Sequence, residues 1–457
     1  MRYIGILLVI VSLPAFIVWL RGNKRNYRYA YFTIGLFPFI AAPLNLDASM
    51  WNIGGLGYAK GLVVTLLDTL CLAILANNRR TIIRLPFAGL FAAYIIATML
   101  SILQAPGFFT PFSYTFQLMR AFLVFTTVAN VVQQKDALRY IAYGLAAGAA
   151  LQGVVTISQR LGGAFQVGGT IGHQNLTGMT LHFATLPLLA MLLAGSRSKL
   201  YFAGVAGGLI AVALGASRGS IAFLAVGLAL LLALSIMRHA TPRKFGVAVL
   251  SVLMVAAASP VIVSGLDTRM ENLGGSAWEE DGERLAFERA ASMMWADHPL
   301  GVGANRYTFV ANVEGYSARA GVTWAAGSRN AVVHNLYYLT AAELGWFGLL
   351  TLIPLLLGVV IMGLLFAFRN RRDPRGDVVL GCTCAVAATA LHSLYEWVFV
   401  LPTVQYVFAI TLGIISGFIV QRKTELLRAK REGRLANRKS GTMRPAFAHS
   451  GNQPKSA

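Results

Sequence analysis

The sequence predicts an all-α fold: a polytopic transmembrane helical bundle of about 12–13 helices with one long external loop containing amphipathic helices. Three observations carry that expectation. The 457 residues are 56% hydrophobic and only 12% charged, with a mean hydropathy of +0.62, a balance that no soluble domain of this length sustains. Apolar runs long enough to cross roughly 30 Å of hydrocarbon recur along the chain. The loops between them carry clustered Lys and Arg at every second turn.

The apolar runs fall at about 3–20, 29–45, 61–76, 86–103, 117–133, 138–158, 176–194, 200–216, 219–236, 245–264, 334–368, 377–399 and 402–420. The run 334–368 exceeds one span, so it is tilted or broken. Lipid offers the backbone no hydrogen-bond partner, and these runs are too continuous for alternating barrel strands, so each closes its own ladder as a helix. Residues 1–20 lack an Ala-x-Ala-like cleavage site and run straight into a basic loop, which reads as a retained helix.

Basic clusters lie at Arg21/Lys24/Arg25/Arg28, Arg79/Arg80/Arg84, Lys135/Arg139, Arg197/Lys199, Arg238/Arg243/Lys244, Arg369/Arg371/Arg372/Arg375 and from Arg422 onward. They hold most of the basic residues, so the net charge of +21 is a topology signal and not a nucleic-acid footprint. The expected arrangement is 1–264 as N-terminal transmembrane helices, 265–333 as a periplasmic loop domain, 334–420 as C-terminal transmembrane helices, and 421–457 as a basic, disordered cytoplasmic tail. The N-terminus and the loops 46–60, 104–116, 159–175 and 265–333 are expected outside. Cys71, Cys382 and Cys384 all fall inside apolar runs, so no disulfide framework is implied.

Segment 265–333 is different in kind. It holds nine acidic residues and six arginines (Arg269, Arg284, Arg289, Arg306, Arg319, Arg329) and no lysine. Arginine supplies a fixed charge and a planar fork suited to phosphate, so its use without lysine hints at anion recognition; surface ion pairs with the nearby acids are the alternative. The apolar spacing of residues 284–295 predicts an amphipathic helix, stopped by Asp297-His298-Pro299-Leu300-Gly301-Val302-Gly303. His334-Asn335-Leu336 then sits at the seam between this polar loop and a membrane-length helix, where an ionisable imidazole can work at the water–lipid boundary.

Taken in order, Gly172-His173-Gln174-Asn175, Ala216-Ser217-Arg218-Gly219-Ser220, Arg284 through Trp295, Asp297 through Gly303, and His334-Asn335-Leu336 with Glu343-Leu344-Gly345 resemble the O-antigen ligase/polymerase superfamily of bacterial envelope glycosyltransferases. The resemblance covers roughly residues 165–400. It departs at His173-Gln174, where many members show an Asn-Pro-type pair. It implies an inner-membrane enzyme that takes a glycan from undecaprenyl diphosphate, without a metal or other cofactor, and passes it to a hydroxyl of lipid A-core or another glycan acceptor. Membrane lipids are implied partners and nucleic acid is not.

The chemistry can be argued from the residues as well. Displacing a lipid diphosphate puts negative charge on the leaving oxygens, and fixed cations in a low-dielectric site stabilise it. Arg218, at the external ends of two apolar helices in a small polar niche, is the first candidate, and Arg284 matches the family position for phosphate. His334 is expected to accept the acceptor hydroxyl's proton.

Arg120, Arg160, Asn175, Arg289, Arg329 and Asn335 are further substrate-binding candidates. The alternative for Arg120 and Arg160 is anchoring to lipid headgroups. His392 and Glu396, spaced i, i+4, are expected to share one helix face; they bind acceptor sugar, tune a neighbour, or satisfy each other. Glu343 is expected to be a packing contact, and Asp68 a hydrogen-bonded buried acid. A transporter would also be polytopic, but its charges belong near the midplane of paired repeats. A scaffold would leave His334 and Arg218 without purpose.

Overall fold

The computed structural model describes residues 2–41, 44, 47–52, 57–78, 84–272 and 277–441. Helices α1 (Arg2–Gly22) and α2 (Asn26–Ile40) lead into an antiparallel ribbon, β1 (Asp47–Asn52) with β2 (Gly61–Thr65), in which Asp47 pairs with Thr65 and Asn52 with Gly61. Next come α3 (Leu66–Asn77), α4 (Ala88–Leu100), α5 (Phe109–Val131), α6 (Ala137–Leu161), α7 (Gln174–Leu193), α8 (Lys199–Leu214), α9 (Arg218–Arg238) and α10 (Pro242–Asn272). The long loop folds as α11 (Ala277–Asp297), α12 (Tyr307–Val313), α13 (Tyr316–Arg319) and α14 (Ala326–Arg329). It is followed by α15 (Leu336–Arg369), α16 (Arg375–His392) and α17 (Pro402–Gly441). The fold is an all-α polytopic bundle.

Five helices among the described residues, α6, α7, α9, α15 and the first 31 residues of α17, are each long and apolar enough to cross a membrane alone. Shorter apolar helices pack against them. The α2–α6 crossing shows how closely: a Cβ on Gly35 would lie 2.1 Å from the Ile141 carbonyl oxygen, and one on Gly144 would lie 2.0 Å from that of Phe32. Small residues at such crossings let backbones touch where lipid offers no hydrophobic drive for association.

Three sequence expectations are corrected. The apolar run 61–76 is not one helix; its first five residues are the strand β2, whose Val63 and Val64 are β-branched and suit a ribbon. The long loop does not begin at 265, because α10 continues to Asn272. The tail is not disordered from 421, because α17 runs on to Gly441 through a stretch rich in strong helix formers, with Arg422 and Glu425 paired at i, i+3. Residues 442–457 lie outside the described residues.

Asp68 has a clear role. It is the N3 residue of α3 and forms a capping box with Thr65, whose backbone N–H donates to its Oδ2 at 2.8 Å. Arg120 of α5 donates Nε to the same oxygen at 2.7 Å and also bonds the hydroxyl of Tyr406 on α17. Asp68 and Arg120 are 3% and 6% exposed, so the pair ties three elements together inside the bundle. Removing one partner of such a pair strands a buried charge and costs about 3–5 kcal/mol. Arg120→Met is therefore expected to lower the unfolding midpoint of the purified protein sharply, with Asp68→Asn added to it recovering most of the loss. An unchanged midpoint for Arg120→Met would show that the pair contributes little.

Candidate functional site

Four stretches far apart in sequence line one open cleft of about 400 Å³: Asn175 at the start of α7, Ser217-Arg218-Gly219 with Ala222-Phe223 at the start of α9, Arg284 on α11, and Tyr395-Glu396 just beyond α16. The turn before α9 is tight. Ala216 takes a left-handed backbone (φ +51°), and the Ser217 hydroxyl then caps the helix by accepting from Ser220 N–H at 3.3 Å. Arg218 is thereby the first residue of α9 and lies exposed in the cleft. Because α7 also starts here, two helix N-termini contribute partial positive charge alongside two guanidinium groups.

A carboxylate sits among these groups. Glu396 is 4% exposed, lies 3.7 Å from Arg284 Nη2, and accepts a hydrogen bond from Asn175 Nδ2. The sequence spacing suggested that Glu396 and His392 share a helix face. They do not, because α16 ends at His392 and the chain turns. His392 instead lies beneath the cleft floor, stacked on Phe223 with ring centroids 5.2 Å apart and 5.4 Å from the ring of His182; both its ring nitrogens are buried without a partner. Gly219 makes room for it, since a Cβ there would sit 2.9 Å from His392 Nε2.

His334 borders this site but is not in the cleft lining. It is half-buried, edge-on to Phe287 of α11 at 5.9 Å, and held by its neighbours: Asn335 caps α15 through Tyr337 and Tyr338 N–H and donates Nδ2 to Glu288 at 3.1 Å, while Leu336 N–H bonds the Ser393 carbonyl at 2.9 Å. Burial lowers the imidazole pKa to about 4, helped by the nearby charges of Arg284 and His173. His173, just outside the start of α7, is itself lowered by burial. At neutral pH His334 is therefore an unprotonated proton acceptor.

The remaining candidates lie elsewhere. Arg120 is not at an external helix end but in the buried pair with Asp68. Arg160 folds back on its own loop, donating to the Phe165 carbonyl at 2.7 Å beside that residue's ring. Arg329 donates to the Val322 and Thr323 carbonyls and covers Trp324 at 4.0 Å. Arg289 is exposed beside a separate depression lined by Glu288, Ser292 and Tyr338. Among the described residues no three of His, Cys, Asp and Glu converge as a metal-ligand set.

The two loop motifs turn out to be halves of one joint. Helix α15 is broken at Gly345 (φ +59°, ψ −151°), so the Ala342 and Glu343 carbonyls lose their partners four residues on. Val302 and Gly303 N–H replace them at 3.0 and 2.9 Å, and Trp346 N–H turns to the Pro299 carbonyl at 3.1 Å. Gly301 (φ +86°) and Gly345 allow the approach, since a Cβ on either would lie about 2.3 Å or less from facing backbone oxygen.

Glu343 is no mere packing contact. Only 2% exposed, it accepts from Tyr58 Oη (2.6 Å), Asn305 N–H and Tyr307 N–H (2.8 Å each), which caps α12 and ties the loop to the 57–60 segment. Sequence spacing signalled a shared motif but could not show this, because the partners lie 36, 38 and 285 residues away in the chain.

Residues 203–353 match the family described as O-antigen ligase. Over that stretch the chain is similar to the O-antigen ligase/polymerase superfamily. The match takes in Arg218, Arg284, His334 and the whole joint. No curated protein matches the chain. The similarity supports glycosyltransferase-type activity on a lipid-linked glycan and a glycan acceptor in general, and together with the apolar helices it supports a multi-pass membrane protein.

Two outcomes are expected. Because His334 is neutral down to about pH 4, kcat/KM for transfer should stay flat through pH 6.5 and fall only below about pH 5; an acid limb centred on 6.5 would mean that the residue is not held as described. Gly345→Ala places a side chain in a left-handed backbone against Pro299, so proteolysis of detergent-purified protein should cut the 298–306 turn faster than in wild type. Equal cutting rates would argue against the joint.

Proposed function

We propose that this chain is a metal-independent, inverting glycosyltransferase of the bacterial inner membrane. It moves a glycan from undecaprenyl diphosphate to an acceptor sugar hydroxyl at the periplasmic face, and the reaction is ligation of O-antigen to lipid A-core. One observation carries the reading: Arg218, Arg284 and the N-termini of α7 and α9 meet at an open cleft beside an unprotonated His334.

In this reading the diphosphate lies against the two guanidinium groups, whose forks match phosphate oxygens. His334 accepts the proton of the acceptor hydroxyl as its oxygen bonds to the anomeric carbon. The bond from that carbon to the diphosphate oxygen breaks on the opposite side, inverting the centre and leaving the lipid diphosphate with the negative charge. The arginines act where that charge develops, so Arg218→Ala or Arg284→Ala is expected to lower transfer about 10²–10³-fold. His334→Ala should lower it about 10²–10⁴-fold, the usual contribution of a general base.

The deciding experiment is a gel of surface lipopolysaccharide and carrier-linked glycan from a strain lacking the protein, complemented with wild type or His334→Ala. Long polymer stranded on the carrier beside bare lipid A-core is the expected outcome. Core bearing a single repeat would replace ligation with polymerisation, an activity that the same motifs serve. An unchanged profile would overturn the assignment of this glycan and acceptor.

A further inference from the structure

Helix α9 runs from Arg218 at the cleft to Arg238, whose guanidinium meets Asp377 and the Asn370 carbonyl, so the α15–α16 loop marks the opposite end of the bundle. Two depressions lie there on either side of α17. One is a groove of about 530 Å³ with apolar walls from Leu85, Pro86, Met362, Ile419 and Val420, and with Arg84 and Lys423 on its rim. The other, about 340 Å³, gathers Arg369, Arg371, Arg372 and Arg422. Arg422 and Lys423, consecutive on α17, contribute one to each depression.

The local acids do not balance these cations. Asp373 and Glu425 are both taken by Arg375, at 2.6 and 2.8 Å, and Arg422 shares Glu425 at 3.5 Å. Among the described residues Arg84, Lys423, Arg369, Arg371 and Arg372 have no carboxylate partner. Met362, in the groove wall, is itself exposed, as befits a surface that meets hydrocarbon.

An apolar trough rimmed by unbalanced cations has the two chemistries of one kind of molecule. We propose that this face binds an anionic phospholipid, with an acyl chain in the Leu85–Met362–Ile419 groove and the phosphate between Arg84 and Lys423, its headgroup turned toward the four arginines. A free phosphate would gain nothing from the apolar walls, and a zwitterionic lipid would gain little from the surplus positive charge. The site is independent of the transfer reaction and lies at the far end of the bundle from it.

The test is native mass spectrometry of the full-length protein in detergent, titrated with phosphatidylglycerol, phosphatidylcholine or inorganic phosphate. Wild type should retain phosphatidylglycerol in preference to phosphatidylcholine, and inorganic phosphate should not displace it. Exchanging both rim cations, Arg84→Gln with Lys423→Gln, should weaken phosphatidylglycerol binding roughly tenfold. Gly89→Phe tests the groove separately: a Cβ at this lining position meets nothing within 4 Å, so the ring enters the trough and should reduce retention with every charge intact. Equal retention of the two lipids, displacement by phosphate alone, or wild-type retention in both variants would overturn the proposal.

Discussion

The exchange of backbone hydrogen bonds at Gly345 is the constraint on which the candidate site depends. A continuous α15 would satisfy its own carbonyls and leave the 299–303 turn with nothing to hold. By breaking there, the helix offers Ala342 and Glu343 oxygens to Val302 and Gly303 and takes the Pro299 oxygen in return. That fixes the C-terminal end of α11. Asn335 then grips the same helix through Glu288, one turn from Arg284 on the same face, so the arginine is positioned from two directions. Tyr307 adds a further hold on α11, its hydroxyl donating to the Phe287 carbonyl at 3.1 Å.

The arginines of this protein divide by what faces them. Arg120 is the most deeply buried of the arginine candidates, and depth alone suggests function for a charge in a membrane protein. Its charge is already answered by Asp68, which also caps α3, so the pair serves the fold. Around Arg218 and Arg284 the setting is different: two guanidinium groups and two helix N-termini line an open cleft, with Glu396 placed between Arg284 and Asn175. These cationic groups border an open cleft, where a bound diphosphate would meet them.

Much of this was legible in the sequence, for identifiable reasons. Apolar runs mark spans because hydrocarbon imposes a length, and the seam at His334 is visible because composition changes abruptly there. Arg218, Arg284, Asn175 and Glu396 do converge. What could not be read are relations set by tertiary contact. Asp68 and Arg120 are 52 residues apart with no local pattern linking them. The His392–Glu396 spacing assumed a helix that in fact stops at His392, and the partners of Glu343 are Tyr58, Asn305 and Tyr307, at least 36 residues away in sequence.

The depressed proton affinity of His334 poses a problem for its proposed role, and the geometry contains the answer. An imidazole with a pKa of about 4 is always free to take a proton at neutral pH, yet it is a weaker base than an ordinary histidine. Burial is the largest cause and stays in place during reaction. The second cause is the positive charge of Arg284, and it does not stay, because a diphosphate against that guanidinium would cancel most of its field. Donor binding would then raise the proton affinity of His334 while the acceptor hydroxyl is in reach. The base would be weak in the empty site and stronger in the loaded one, so that proton removal is coupled to the presence of the leaving group that the same arginine holds.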